Sequence, residues 1–139
     1  MKNVLVVGTG TIGEPLIGLL AQHKESLGID NVYFFKRTPL SDEKGKVESL
    51  VRKGSKLVST TDALNDFKSL GFEPEDVENA YDNCQVIIDC TPSGNDNWEN
   101  IYTKLDSEKS FGSTVAEFTF VKILKLLDTL ASYPYEDSP

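Results

Sequence analysis

The chain is poor in the residues that staple a fold or hold a metal. It has 2 cysteines and 1 histidine in 139 residues, with no metal-ligand spacing among them. Cys84 and Cys90 flank the run NCQVIIDC, are expected on the same face of a strand, and read as unbridged core or cleft-lining thiols. Cations are also scarce: 14 Lys and Arg against 22 Asp and Glu leave a formal net charge of -8. A net charge of that sign argues against non-specific binding to DNA, RNA or an anionic membrane, which needs a basic surface for counterion release, and leaves room for a local basic site. No apolar run approaches the ~18 residues needed to span a bilayer. The N-terminal run breaks at Gly8 before it could act as a signal-peptide core, so a cytoplasmic location is expected. The Gly-Lys-Ser/Thr phosphate loop, internal repeats and low-complexity linkers are all missing.

What remains is ordinary for one folded unit. Domains cluster near ~100–150 residues, and 39% hydrophobic residues is too many for wholesale disorder. The pattern alternates strands with helices. A continuous aliphatic run, about Lys2 to Val7, has the character of a parallel strand covered on both faces. From Ile12, Leu16, Ile17, Leu19, Leu20 and Leu27 recur at helical spacing, with Pro15 in the first turn and Gly28 at the close. NVYFFKRTP reads as a second strand stopped by Pro39. Ser41-Asp42 is expected to cap a helix from Glu43 to Lys53 with Val47, Leu50 and Val51 as its apolar stripe. KLVSTT is a third strand. Thr61-Asp62 is expected to cap a helix through Leu64, Phe67 and Leu70, and PEDVENAY adds a further helical turn or two.

The strand QVIIDC follows, and WENIYTKL is helical through Trp98, Ile101, Tyr102 and Leu105. SEKSFGST reads as a loop, Val121 to Leu130 as a helix and PYEDSP as a frayed acidic tail. The fold class is therefore α/β: a Rossmann-type, doubly wound, mainly parallel sheet with helices on both faces. Residues 1–139 are expected to form a single domain, its motifs within about 1–106, and 107–139 a C-terminal loop, helix and tail.

Gly8, Gly10 and Gly13 form G-x-G-x-x-G directly after a predicted strand and at the start of a predicted helix. Gly8 permits the tight turn, Gly10 lets the backbone approach a pyrophosphate, and Gly13 lets the helix pack closely on the strand. Free N–H groups around Thr11 and Ile12, at the positive helix end, face the anion. Glu14 would repel that anion if it pointed inward and is expected to point to solvent. The end of the second strand selects the cofactor: an acid there suits the ribose hydroxyls of NAD, and an Arg nearby the 2′-phosphate of NADP. Here it reads Phe35-Lys36-Arg37-Thr38, with no acid, which favours NADP over NAD. The loop Thr91-Pro92-Ser93-Gly94, after the strand expected beside the first, should touch the cofactor. Asp89 is expected to hydrogen-bond that loop's backbone. No catalytic nucleophile, no catalytic base and no metal ligands are recognisable.

Together, VVGTGTIGEPL, FFKRTP, RKGSKLVST and DNCQVIIDCTPSGNDNWENIY resemble the N-terminal cofactor domain of archaeal-type (type II) glyceraldehyde-3-phosphate dehydrogenase over about residues 1–105. The resemblance implies a phosphorylating aldehyde dehydrogenase of glycolysis using NADP or NAD. By motif position it implies cofactor contacts at Gly8, Gly10, Thr11, Ile12, Gly13, Lys36, Arg37 and Thr91 to Gly94. It implies no catalytic residue here, because that family's nucleophile lies in an S-C-N-T-T motif opening the following domain. Glu14 departs from a position often basic in the family, and the tail from about Ser107 loses the pattern.

The expectation is an NAD(P)-binding domain of such an oxidoreductase, a fragment or truncated form inactive on its own. Its expected partners are the dinucleotide and a separate catalytic domain or a second copy. A stand-alone nucleotide-responsive binding module is the alternative. So is the cofactor domain of a semialdehyde or homoserine dehydrogenase.

Overall fold

The computed structural model describes residues 2–105 and 109–113. Twelve helices and strands alternate along it, beginning with β1 (Asn3–Val7), α1 (Gly13–Gln22), the short α2 (Lys24–Leu27) and β2 (Asn31–Phe35). Then come α3 (Lys44–Arg52), β3 (Lys56–Ser59), α4 (Leu64–Ser69), β4 (Glu75–Asp76), α5 (Val77–Asn83), β5 (Val86–Asp89), α6 (Gly94–Asn100) and β6 (Ser110–Ser113). All six strands are parallel in one open sheet of order β4-β3-β2-β1-β5-β6. The architecture is a Rossmann-like α/β fold.

The alternation of side chains along each strand builds two cores. Val4, Val6, Val32 and Phe34 face Ile17 of α1, Val47 and Leu50 of α3 and Phe67 of α4. Leu5, Val7, Val58 and Ile87 face Val77, Ala80 and Tyr81 of α5, with Tyr102 beyond α6. Both faces of the sheet are thus covered, which is why β1 is apolar at nearly every position. Each fully buried side chain of this kind, such as Leu5 or Phe34, contributes about 1.5–3 kcal/mol.

The amino ends of the strands are closed by polar side chains. Lys2 Nζ donates to Leu27 O at 2.9 Å, Asn3 Nδ2 to Asn83 O at 3.0 Å and Asn31 Nδ2 to Asn3 Oδ1 at 3.0 Å. Lys109 Nζ donates to Asp82 O at 3.1 Å and Cys84 O at 2.8 Å, placing a cation at the C-terminus of α5.

Several local expectations are corrected. SEKSFGST is not all loop: Ser110–Ser113 forms β6, pairing Phe111 with Ile87 and burying it beside Tyr102. Two residues of PEDVENAY, Glu75–Asp76, pair with Val58 and Ser59 as β4 before α5 begins. The helix expected over WENIYTKL starts earlier, at Gly94, and after Ile101 tightens into a 3₁₀ turn over Tyr102–Lys104.

Neither proposed cap hydrogen-bonds its helix. Ser41–Glu43 and Thr61–Ala63 are 3₁₀ turns leading into α3 and α4. Thr61 Oγ1 instead donates to Asp76 Oδ2 at 2.5 Å, and Asp76 caps α5 by accepting from Glu78 N. The first helix breaks at His23, and Leu19, Leu27 and Val51 are exposed rather than core. The buried positions on α1 are Gly13, Ile17, Gly18 and Ala21, and at Gly13 the helix lies too close to the chain for any side chain. Cys84 and Cys90 fall on opposite faces, because Cys84 lies before β5 as the C-cap of α5 and so outside the strand's two-residue alternation. The helix expected over Val121 to Leu130, and the acidic tail, lie outside the described residues. No described helix is long and apolar enough to cross a membrane.

The close seat of α1 is enforced at one point. A β-carbon on Gly13 would lie 2.0 Å from the carbonyl oxygen of Gly8, whereas one on Gly10 would meet nothing within 4 Å. Gly13→Ala should therefore cost about 3 kcal/mol of stability, and Gly10→Ala no more than about 0.5 kcal/mol. Urea denaturation midpoints of the two variants check this, and equal costs would contradict the close-approach account.

Candidate functional site

The connections after β1 and β2 carry the chain to one side of β1, and β5 lies on the other. A crevice opens at that reversal, outside the carboxyl ends of the strands. The register brings the ends level: Val7 pairs with Phe35 on β2 and with Asp89 on β5. The residues that follow, Gly8, Lys36 and Cys90, therefore leave the sheet together. The crevice has a volume of about 330 Å³, and Gly8, Thr9, Lys36, Arg37, Thr38, Thr91, Ser93 and Asn97 stand around Val7 and Phe35.

The glycine turn forms one wall. Gly8 has φ +108°, and a β-carbon there would also lie 3.0 Å from Thr91 Cγ2, so both conformation and space call for glycine. The backbone N–H groups of Thr11, Ile12 and Gly13 make no hydrogen bond among the described residues. They sit in the approach to α1, where donors left over by helix geometry gather. Gly10, Thr11 and Ile12 are exposed and Gly13 is buried against the turn, and none of the four lines the crevice. Glu14 is half-exposed as expected, but its Oε2 lies 3.8 Å from Lys46 Nζ on α3.

The β2 end forms the second wall. Lys36 Nζ is bound to Glu43 Oε2, from the 3₁₀ turn before α3. Lys36 hydrogen-bonding holds the Glu43 carboxyl below the usual range, with further help from the charges of Lys36 and Lys46. The sequence shows no acid at the strand end because this one arrives seven residues later. Arg37 and Thr38 are exposed, and Arg37 makes no ion pair among the described residues.

The third wall hangs on Asp89, which is fully buried. Its Oδ1 accepts from Thr91 N at 2.8 Å and Thr91 Oγ1 at 2.5 Å, and its Oδ2 from Asn97 Nδ2 at 2.8 Å and Tyr102 OH at 2.6 Å. The expected bond to the loop backbone is present, with three side-chain donors added. Burial, then the Asp89 charge and hydrogen bond, push the Tyr102 hydroxyl far above its ordinary value, so it stays a donor. Thr91 and Ser93 reach the crevice, while Pro92 is exposed and Gly94 buried outside the lining.

Asn97, Lys46 and Glu43 escaped the sequence reading. Asn97 had a signal, standing one helical turn beyond Ser93, whose carbonyl accepts its N–H at 2.9 Å. Lys46 and Glu43 are three apart on a helical turn and meet at 3.7 Å, but their reach toward Thr9 and Lys36 is tertiary.

The cysteines are poor nucleophiles. Burial pushes the Cys84 thiol up to about 12 and, with the Asp89 charge, the Cys90 thiol up to about 11. Among the described residues no group of three or more His, Cys, Asp and Glu could hold a metal ion.

No family model and no curated protein matches this chain. Among solved structures it is similar to a conserved protein of unknown function from Bacteroides thetaiotaomicron, with 8% identity and a TM-score of 0.40 over 81% of this chain and 94% of that one.

Asp89→Ala should leave buried donors unpaired and cost about 3–5 kcal/mol, read from chemical denaturation. A loss below about 1 kcal/mol would show that Asp89 does not hold the third wall. For Cys90, alkylation by iodoacetamide should be slow at neutral pH and accelerate roughly tenfold per pH unit towards about pH 11, following the thiolate fraction. A rate that levels off by pH 8, followed by mass spectrometry, would reveal an activated thiol instead.

Proposed function

We propose that this chain is an NAD(P)-binding domain of an oxidoreductase, similar in kind to the cofactor domain of archaeal-type glyceraldehyde-3-phosphate dehydrogenase. The observation that carries this reading is the convergence on one crevice of the Gly8 turn, the Lys36-Arg37-Thr38 strand end and Thr91 with Ser93. These segments are distant in sequence, and each matches in chemistry one part of a dinucleotide. The unpartnered amides of Thr11 to Gly13 suit a pyrophosphate, as does the open space above Gly10. Arg37 and Thr38 suit a 2′-phosphate, which favours NADP. Hydroxyls and the amide at Thr91, Ser93 and Asn97 suit the ribose and carboxamide of the other half.

The fit is partial in a way that agrees with the role. At about 330 Å³, the crevice stands at the small end of ligand sites, ~300–1,000 Å³. It can enclose the middle of a dinucleotide and leave the nicotinamide end open to a separate catalytic domain. The bound cofactor would supply hydride acceptance or donation. This chain's residues would bind and orient it, and the nucleophile would come from a separate catalytic domain, since the thiols here are held protonated. The protein's role is then positional, with glycolytic aldehyde oxidation the favoured setting.

Calorimetric titration of the folded chain should give saturable binding of NADPH, and weaker binding of NADH. Gly10→Val should abolish both while leaving the melt unchanged, because a side chain there meets only a ligand. Arg37→Ala should weaken NADPH by about 1.5–3 kcal/mol, the usual worth of a charge-assisted hydrogen bond, and NADH by far less. No binding by a demonstrably folded chain, or equal losses for the two cofactors, would overturn the assignment.

A further inference from the structure

Four charged side chains run from the crevice wall to the first turn of α1. Lys36 Nζ is bound by Glu43 Oε2, and Glu43 Oε1 lies 3.7 Å from Lys46 Nζ. Lys46 Nζ donates to Thr9 O at 3.1 Å and lies 3.8 Å from Glu14 Oε2. The order is Lys36, Glu43, Lys46, Glu14, with alternating sign and no net charge. Lys36 lines the crevice, yet its side chain is 9% exposed and its ammonium is engaged by Glu43. Its neighbour Arg37 lines the same crevice without an ion pair among the described residues.

A phosphate entering beside Arg37 therefore meets a lysine already neutralised and a carboxylate close behind it. Like charges at that range repel, whereas a neutral ribose hydroxyl is indifferent to the carboxylate's charge. The two lysines would serve an anionic ligand fully only if Glu43 released them. We propose that Glu43 is a specificity-determining residue: an internal counter-anion that occupies Lys36 and Lys46 and limits the preference of the crevice for a 2′-phosphorylated nucleotide over its unphosphorylated form. This rests on the dinucleotide reading. It makes the margin between the two cofactors the product of a competition between two anions, one of them belonging to the chain.

The test uses adenosine 2′,5′-bisphosphate, adenosine 5′-monophosphate and NADH as calorimetric probes of wild type, Glu43→Gln and Glu43→Gln with Lys36→Met. Glu43→Gln keeps the side chain's shape and removes its charge. It should bind the bisphosphate about tenfold more tightly, the change expected of one further charge-assisted contact. The monophosphate and NADH should stay within about twofold. That gain should be steeper at low salt and should vanish in the double variant. Glu43→Asp, which draws the carboxylate back by one methylene, should give part of the gain and guards against a folding defect in the first variant. Unchanged or weakened bisphosphate binding by folded Glu43→Gln and Glu43→Asp, with NADH binding intact, sinks the Glu43 assignment alone. Absence of binding for all three probes in wild type and variants sinks the dinucleotide reading with it.

Discussion

The contact between Gly13 and Gly8 governs both the packing and the crevice. With no β-carbon at residue 13, the first turn of α1 rests on the carbonyl of Gly8, the residue that follows β1. That approach fixes the direction of the helix relative to the strand, seats Ile17 in the first core, and sets the position of the Thr11 and Ile12 amides, which have no partner among the described residues. Widening the gap would loosen the first core and swing those amides away together. One steric condition thus serves stability and the site at once, and the positive φ of Gly8 is the other half of the same turn.

Around that turn the chain places its charges against its own average. The molecule carries a formal charge of -8, yet Lys36, Arg37 and Lys46 gather where β2, the glycine turn and α3 meet. Glu43 and Glu14 offset two of them, leaving Arg37 as the exposed cation. The opposite wall is held from behind by the buried Asp89 carboxylate, whose oxygens accept from Thr91, Asn97 and Tyr102, while the side chains lining the crevice there, Thr91, Ser93 and Asn97, carry no formal charge. The crevice therefore has one side lined by cations and one lined by hydroxyls and an amide.

Features that depend on neighbours in sequence were legible, and those that depend on distant partners were not. β1, β2, β3 and β5 announce themselves by aliphatic and aromatic residues, and Gly28 ends its helix in the left-handed conformation that glycine favours. The glycine spacing located the turn, and QVIIDC followed by TPSG located its opposing loop. By contrast SFGS has little strand propensity and pairs because Phe111 stacks on Tyr102 and meets Trp98 edge-on. Glu75–Asp76 becomes a strand only because Val58 and Ser59 lie alongside. The tie between Glu43 and Lys36 crosses a proline-containing loop whose path no periodicity describes. Leu19 and Val51 match the helical stripe yet face outward, since period alone cannot say which edge of an apolar stripe is covered.

The central position of β1 has a consequence for how the crevice comes into being. β1 finds β2 across a separation of 28 residues, as between Asn31 and Asn3, but reaches the β5 side across 82, as between Asn3 and Gln85. Closing a loop costs entropy that grows slowly with length, while distant parallel pairing slows folding more than it weakens the final state. The side from Gly8 to Lys36 is built from β1, α1 and β2, which are consecutive in the chain. The Thr91 to Asn97 side joins only when most of the described chain has collapsed onto it. The crevice is thus complete only once β1 is paired on both sides, the second pairing far more distant along the chain than the first.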